Sequence, residues 1–144
     1  MLKNLLLAID IDTSREVTEV AADLAKLSAA TVHVLHCDEL DTFFDTEIWL
    51  DDDTEPRTAI GEAVAELRAA GVAARGVTCR TGSPSGTADA VLSEASQAKT
   101  DIIVLGVPKS HRLGGRFAGS VAAKMAQRTT IPLLLVPEGP ADPG

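Results

Sequence analysis

Tyrosine is absent from the 144 residues, tryptophan occurs once, and aromatic residues make up only 3%. A core built almost without rings must be aliphatic, and the 45% hydrophobic content supplies one from Val, Leu, Ile and Ala. That composition suits buried parallel strands covered by Ala-rich helices. Cysteine is scarce too. Cys37 and Cys79 form no C-x-x-C motif, and two thiols alone do not ligate a structural zinc. They are expected as reduced, buried thiols. No apolar run is long enough to span a bilayer, since the one that opens the chain ends at Asp10. No signal peptide is evident, and a cytoplasmic location is expected. Bases are outnumbered, with 13 Lys and Arg against 21 Asp and Glu, for a net charge of −8. Such a surface repels nucleic-acid backbones and anionic membranes, so neither is expected as a partner.

What is present is an alternation of apolar runs and helical periods. Leu5–Ile9 reads as a first strand buried on both faces. Thr13 and Glu16 have capping-box spacing, and Val17, Val20, Ala21, Leu24 and Ala25 mark the first helix. Thr31–Cys37 is the second strand, followed by an acidic loop. Ile60, Ala63, Val64 and Leu67 give the second helix, with Gly71 as its stop. Val72–Arg80 is a more polar third strand, placed at a sheet edge. Ser83 caps the third helix, with Pro84 at its first position and Ala88, Val91, Leu92 and Ala95 on its buried face. Asp101–Leu105 is the fourth strand. Ser120 opens a fourth helix that uses Val121, Ala122 and Met125. Ile131–Val136 is the fifth strand, Pro137 ends it, and 138–144 form a flexible tail.

Strands joined by helices run parallel with right-handed crossovers. The prediction is one α/β domain over 1–137, an open five-stranded parallel sheet with helices on both faces. The longest apolar runs belong at its centre, which favours the order 3-2-1-4-5 over 2-1-3-4-5. Ligands of such sheets bind beyond the carboxyl ends of the strands where the order reverses. That places Asp10 and Gly106 on one crevice. The segment after Gly106 carries Lys109, His111, Arg112 and Arg116, a basic stretch in an acidic chain. It leads to a helix start at Gly119-Ser120, where backbone N–H groups and the helix dipole suit a phosphate. Neither a Walker A loop nor a Rossmann G-x-G-x-x-G is present. The competing reading is a surface loop whose bases balance nearby acids.

Gly106-Val107-Pro108-Lys109, then nine residues, then Gly119-Ser120, resembles the loop of universal stress proteins: Gly, two residues, Gly, nine residues, Gly-Ser/Thr. Asn4–Asp10, Gly82-Ser83-Pro84, Ile102–Gly106 and Ile131–Pro137 are similar to that family as well, so the resemblance covers residues 3–137. It implies a Rossmann-like fold of the adenine nucleotide alpha hydrolase type with strand order 3-2-1-4-5. It implies ATP, with Mg²⁺, as ligand. Backbone near Ala8, Ile9 and Cys37 would line the adenine pocket, and Asp10 would meet the ribose or adenine. Gly106, Gly119, Ser120 and Val121 would hold ribose and phosphates, with Lys109 and Arg116 supplying charge. It further implies a homodimer formed through Leu133–Val136, a role in stress response, and at most slow ATP hydrolysis.

Two positions depart from the family pattern. Lys109 stands where the second glycine is usual, and either strains the loop, if φ is positive there, or pairs with a phosphate. Asp12 adds negative charge beside the site, which Mg²⁺ would bridge to phosphate. The alternative is a nucleotide-free interaction module, with the acidic segment 38–55 docking an unknown protein partner. That segment holds Phe43, Phe44 and Trp49, read as pinning it to the body. It lacks the ligand alternation of a calcium loop. His33 and His36 lie three apart on a strand, face opposite ways and are expected to pack rather than chelate. No catalytic residue is assigned: Pro84 occupies the nucleophile position of a G-x-S-x-G elbow.

Overall fold

The computed structural model describes residues 2–9, 15–41, 48–49, 54–81, 86–108 and 121–138. Leu5, Leu6 and Leu7 of β1 (Asn4–Ala8) are essentially inaccessible, because alternation sends Leu5 and Leu7 to one face and Leu6 to the other, and helices cover both. β1 pairs in parallel with β2 (Thr31–Asp41) on one side and β5 (Ile102–Pro108) on the other. β4 (Ala74–Thr81) lies outside β2, and β6 (Leu133–Glu138) outside β5, both parallel. The parallel order is therefore β4-β2-β1-β5-β6, the predicted 3-2-1-4-5 in the order in which the five long strands occur.

The core has two halves. Leu5, Leu7, Val32 and Val34 pack against Val17, Ala21 and Ala25 of α1 (Arg15–Ser28) and Ile60, Ala63 and Leu67 of α2 (Thr54–Ala69). On the other face, Leu6, Leu35 and Ile103 pack against Ala88, Val91 and Ala95 of α3 (Thr87–Gln97) and Met125 of α4 (Val121–Arg128). His33 and His36 are both buried. Their spacing puts His36 on the α1/α2 face with Val32 and Val34, and His33 on the α3 face with Leu6 and Leu35.

Several boundaries move. β2 runs on through Asp41, and its last two residues pair with a short antiparallel strand β3 (Ile48–Trp49), Leu40 opposite Trp49 and Asp41 opposite Ile48. The expected acidic loop is thus partly strand at its start, and its end at Thr54–Glu55 belongs to α2. Backbone pairing outweighs the poor strand propensity of acids there. β5 likewise runs to Pro108. Pro137 does not end the last strand but pairs opposite Val107 within β6. β6 has no described neighbour but β5, and a proline with its missing N–H on an open side costs no ladder bond. α3 starts at Thr87 with Gly86 at its N-cap position, later than the expected cap at Ser83 and first helical position at Pro84. Ser83 and Pro84 themselves, the expected cap at Thr13 and residues 139–144 lie outside the described residues.

Three helices end in the same way. After α2, Gly71 has φ +84, its N–H donates to Arg68 O at 2.9 Å, and Val72 N–H donates to Leu67 O at 3.0 Å. This is a Schellman stop with glycine where the left-handed turn requires it. Ala29 after α1 (φ 57) and Lys99 after α3 (φ 53) occupy the equivalent place, with Ala30 N–H to Ala25 O at 3.0 Å and Thr100 N–H to Ala95 O at 2.9 Å.

Candidate functional site

The strand order reverses at β1. From β1 the chain steps outward through β2 to β4, then crosses back to β5 on the opposite side of β1 and on to β6. Connections diverge at that point, beyond the carboxyl ends of β1 and β5, which is where open parallel sheets characteristically bind their ligands. Ala8, the last residue of β1, is register-paired with Leu35 of β2 and Leu105 of β5. Ile9 then donates its N–H to Leu35 O at 2.9 Å, so its backbone stays fixed one step past the strand. Gly106 follows Leu105 on β5, opposite Val136 of β6. Val121 opens α4, which is held in place by buried Ala122 and Met125. A helix connecting parallel strands begins at their carboxyl edge, so Val121 belongs to the same edge as Ala8, Ile9 and Gly106.

Four of the predicted site residues therefore stand at one edge of the sheet, three of them, Ala8, Ile9 and Gly106, on paired backbone. The backbone of Cys37 lies two residues beyond Leu35 and so past the end of β1, but within β2, which does not end there as expected and runs on to Asp41. Asp10, Asp12, Lys109, His111, Arg112, Arg116, Gly119 and Ser120 lie outside the described residues. Among the described residues no group of three His, Cys, Asp or Glu could hold a metal ion. Carboxylates such as Asp10 and Asp12 are the hard oxygen donors that Mg²⁺ prefers, and this ion characteristically binds through one or two carboxylates together with substrate phosphates.

The opposite, amino edge carries a polar cluster that periodicity did not reveal. The Asp101 carboxylate accepts N–H bonds from Lys3 at 2.7 Å and Asn4 at 3.0 Å. Those two backbone bonds hold its pKa below the ordinary carboxylate value. Arg75 Nε donates to His33 Nδ1 at 2.8 Å, which leaves the ring proton on Nε2, facing Asn4 Oδ1 at 3.3 Å. Burial, and secondarily the Arg75 charge, lower the His33 pKa. Asn4 Nδ2 donates to Lys99 O at 3.3 Å. The available signal was positional: Asn4, His33 and Arg75 all stand within the first three residues of their strands. Two cavities, of about 290 and 180 Å³, open on this half of the molecule, one beside Lys99, Thr100 and Arg128 and the other beside His33, Arg75 and Glu94. Neither includes a predicted site residue.

Among the described residues no helix is long and apolar enough to cross a membrane. A sequence search of curated proteins gives no match. A universal stress protein from Archaeoglobus fulgidus superposes with a TM-score of 0.74 at 22% identity, covering 94% of this chain and 98% of that one. A structure of the universal stress protein from Archaeoglobus fulgidus in complex with dAMP gives 0.72 at 21% identity, covering 94% and 98%. A universal stress protein in complex with cAMP gives 0.70 at 22% identity, covering 94% and 96%. At these identities the likeness establishes the fold. The sequence model of the universal stress protein family matches residues 1–137, and with almost the whole chain matched, this protein belongs to that family.

Proposed function

We propose that this chain binds an adenine nucleotide, ATP with Mg²⁺ foremost, beyond the carboxyl ends of β1 and β5, and acts through that binding as a dimeric stress-response regulator. The observation that carries this reading is the reversal of strand order at β1, with Ala8–Ile9 and Gly106 on the two sides of the divergence. Two structural relatives were solved with dAMP and with cAMP, which share the adenine base of the ligand. In this reading backbone at Ala8, Ile9 and Cys37 borders the adenine, and Asp10 orients the nucleoside. Gly106, Gly119, Ser120 and Val121 hold ribose and phosphates, with charge from Lys109 and Arg116. The positive end of the α4 dipole offsets the repulsion that a net charge of −8 imposes on an anion.

The second copy docks along β6. Its Leu133, Leu134 and Leu135 are only half-buried, and among the described residues nothing pairs with its outer side. Sedimentation across a concentration series, with Leu135→Lys as the variant, tests this; a monomer at all concentrations removes it.

The nucleotide reading is tested by calorimetric titration of the stripped protein with ATP and Mg²⁺. A saturable heat at one site per chain supports it. No heat at millimolar ATP from folded protein favours the interaction module, for which Lys109 at the usual glycine position is the specific observation. Pull-downs with and without 38–55 then become the next measurement. Turnover above a Gly119→Asp control would add slow ATP hydrolysis.

A further inference from the structure

Cys37 and Cys79 are far apart in sequence, yet the register of β2 with β4 makes them direct partners. Neighbouring strands lie about 4.8 Å apart. The Cα atoms of a disulfide lie about 4.4–6.8 Å apart. Register partners also share a face of the sheet. The backbone thus already meets the two coarse requirements of a cross-strand disulfide. Alternation groups Cys37 with His33 and Leu35, and Cys79 with Arg75 and Val77, and both Leu35 and Val77 belong to the α3-side half of the core. β4 hands the chain to α3 at this edge, so the amino end of that helix lies at the same edge and face. The positive end of a helix dipole favours thiolate, the reactive form of cysteine. β4 has no described neighbour but β2, so the pair stands on the outermost two parallel strands at that side of the sheet.

We propose that Cys37 and Cys79 are a redox modification site, closed to a cross-strand disulfide by hydrogen peroxide or a small hydroperoxide and reopened by a dithiol. One thiolate attacks a peroxide oxygen, the O–O bond breaks, and a sulfenic acid and one water result. The second sulfur attacks the sulfenic sulfur, the S–S bond forms as the S–O bond breaks, and the departing hydroxide leaves as water with the second thiol's proton. Two thiols give up two electrons in all, and the peroxide is reduced to two waters. The strand spacing lies within the Cα separation of a disulfide, so closure requires no large movement of β2 against β4. The pair stands at the carboxyl edge, but its chemistry does not depend on nucleotide binding.

The test exposes the reduced, folded chain to a small excess of hydrogen peroxide at neutral pH, then alkylates it under denaturing conditions. Expected are a monomer that has lost two hydrogens in mass, no alkylation at either cysteine, a cross-linked peptide pair containing Cys37 and Cys79, and full reversal by dithiothreitol. Cys37→Ser should stop at a sulfenic acid on the remaining cysteine, trapped by dimedone. Closure in the folded chain should run at least about tenfold faster than in urea, where no register exists. Both thiols remaining alkylatable, separate oxidation to sulfinic acids, links between chains only, or equal rates in urea would each overturn the proposal.

Discussion

The amino and carboxyl edges of the sheet are built differently. At the amino edge the connections are residues 29–30, 70–73, 98–101 and 129–132, all short. Three of them start from the same helix stop, and Asp101, Asn4, His33 and Arg75 lace the strand beginnings together. At the carboxyl edge the connections are 9–14, 42–53, 82–86 and 109–120, the second interrupted by β3. These hold the glycine-rich and basic motif and most of the acidic stretch. Short connections spend few residues on ordering and serve stability. Long ones place side chains and backbone N–H groups where a ligand can use them. Stability and binding are therefore expected to separate by edge, and substitutions can break or sharpen that division.

The largest expected effect is on the carboxyl side. Gly119→Asp with Ser120→Ala should weaken ATP binding by at least about tenfold, equivalent to about 1.4 kcal/mol, while the unfolding midpoint in urea barely moves. Calorimetry and a denaturation curve on the same sample check both halves, and a large loss of stability would break the division. Next is Gly76→Ala in β4. A Cβ there would overlap Ile60 Cγ2 from α2. The expected cost is about 1–3 kcal/mol of stability. Ile60→Leu, which removes that methyl, should recover part of it in the double variant, a coupling readable by a double-mutant cycle.

Smaller gains are expected from the amino-edge helix stops. Ala29→Gly and Lys99→Gly relieve left-handed backbone at non-glycine residues, and each should raise stability by about 1 kcal/mol or less without touching nucleotide affinity. Smallest is a pair of pH effects. Asp101 has a lowered pKa in the fold, so its contribution is complete above its unfolded value near 3.8 and is lost as pH falls through the lower folded value. His33 is also lowered, so protonation of the unfolded chain below about 6.5 drains stability as pH falls towards the folded value. Urea midpoints measured against pH should show the upper wave vanish in His33→Gln and the lower one in Asp101→Asn.

Much of the fold was legible because strand burial writes itself into composition. Leu5–Leu7 and Ile102–Leu105 are continuous apolar runs since both their faces are covered, and the polar character of β4 marks an outer strand. That contrast was enough to choose the strand order. Boundaries were less legible. Pro137 signals a stop only when both neighbours of a strand are present, and Asp38–Asp41 signals a loop only when no partner waits to pair. Of the site, Ala8, Ile9, Gly106 and Val121 fall at the predicted edge because topology alone puts strand ends there. The amino-edge cluster and the Cys37–Cys79 pairing escaped notice because each depends on register between strands far apart in sequence, which periodicity within a strand does not encode.

The central position of β1 also governs the order in which the chain can fold. Its first partner, β2, follows closely, but its second, β5, pairs Leu5 with Ile102, and Lys3 meets Asp101 across 98 positions. Ribosomes add roughly 5–20 residues per second. For on the order of 5–20 s after β1 emerges, one edge of Leu5-Leu6-Leu7 therefore has no strand to pair with. A nascent chain in that interval presents an aliphatic strand edge, the kind of template on which unlike chains aggregate. Chaperone capture, if it occurs, should concentrate on nascent chains that have made β1 and β2 but not yet β5.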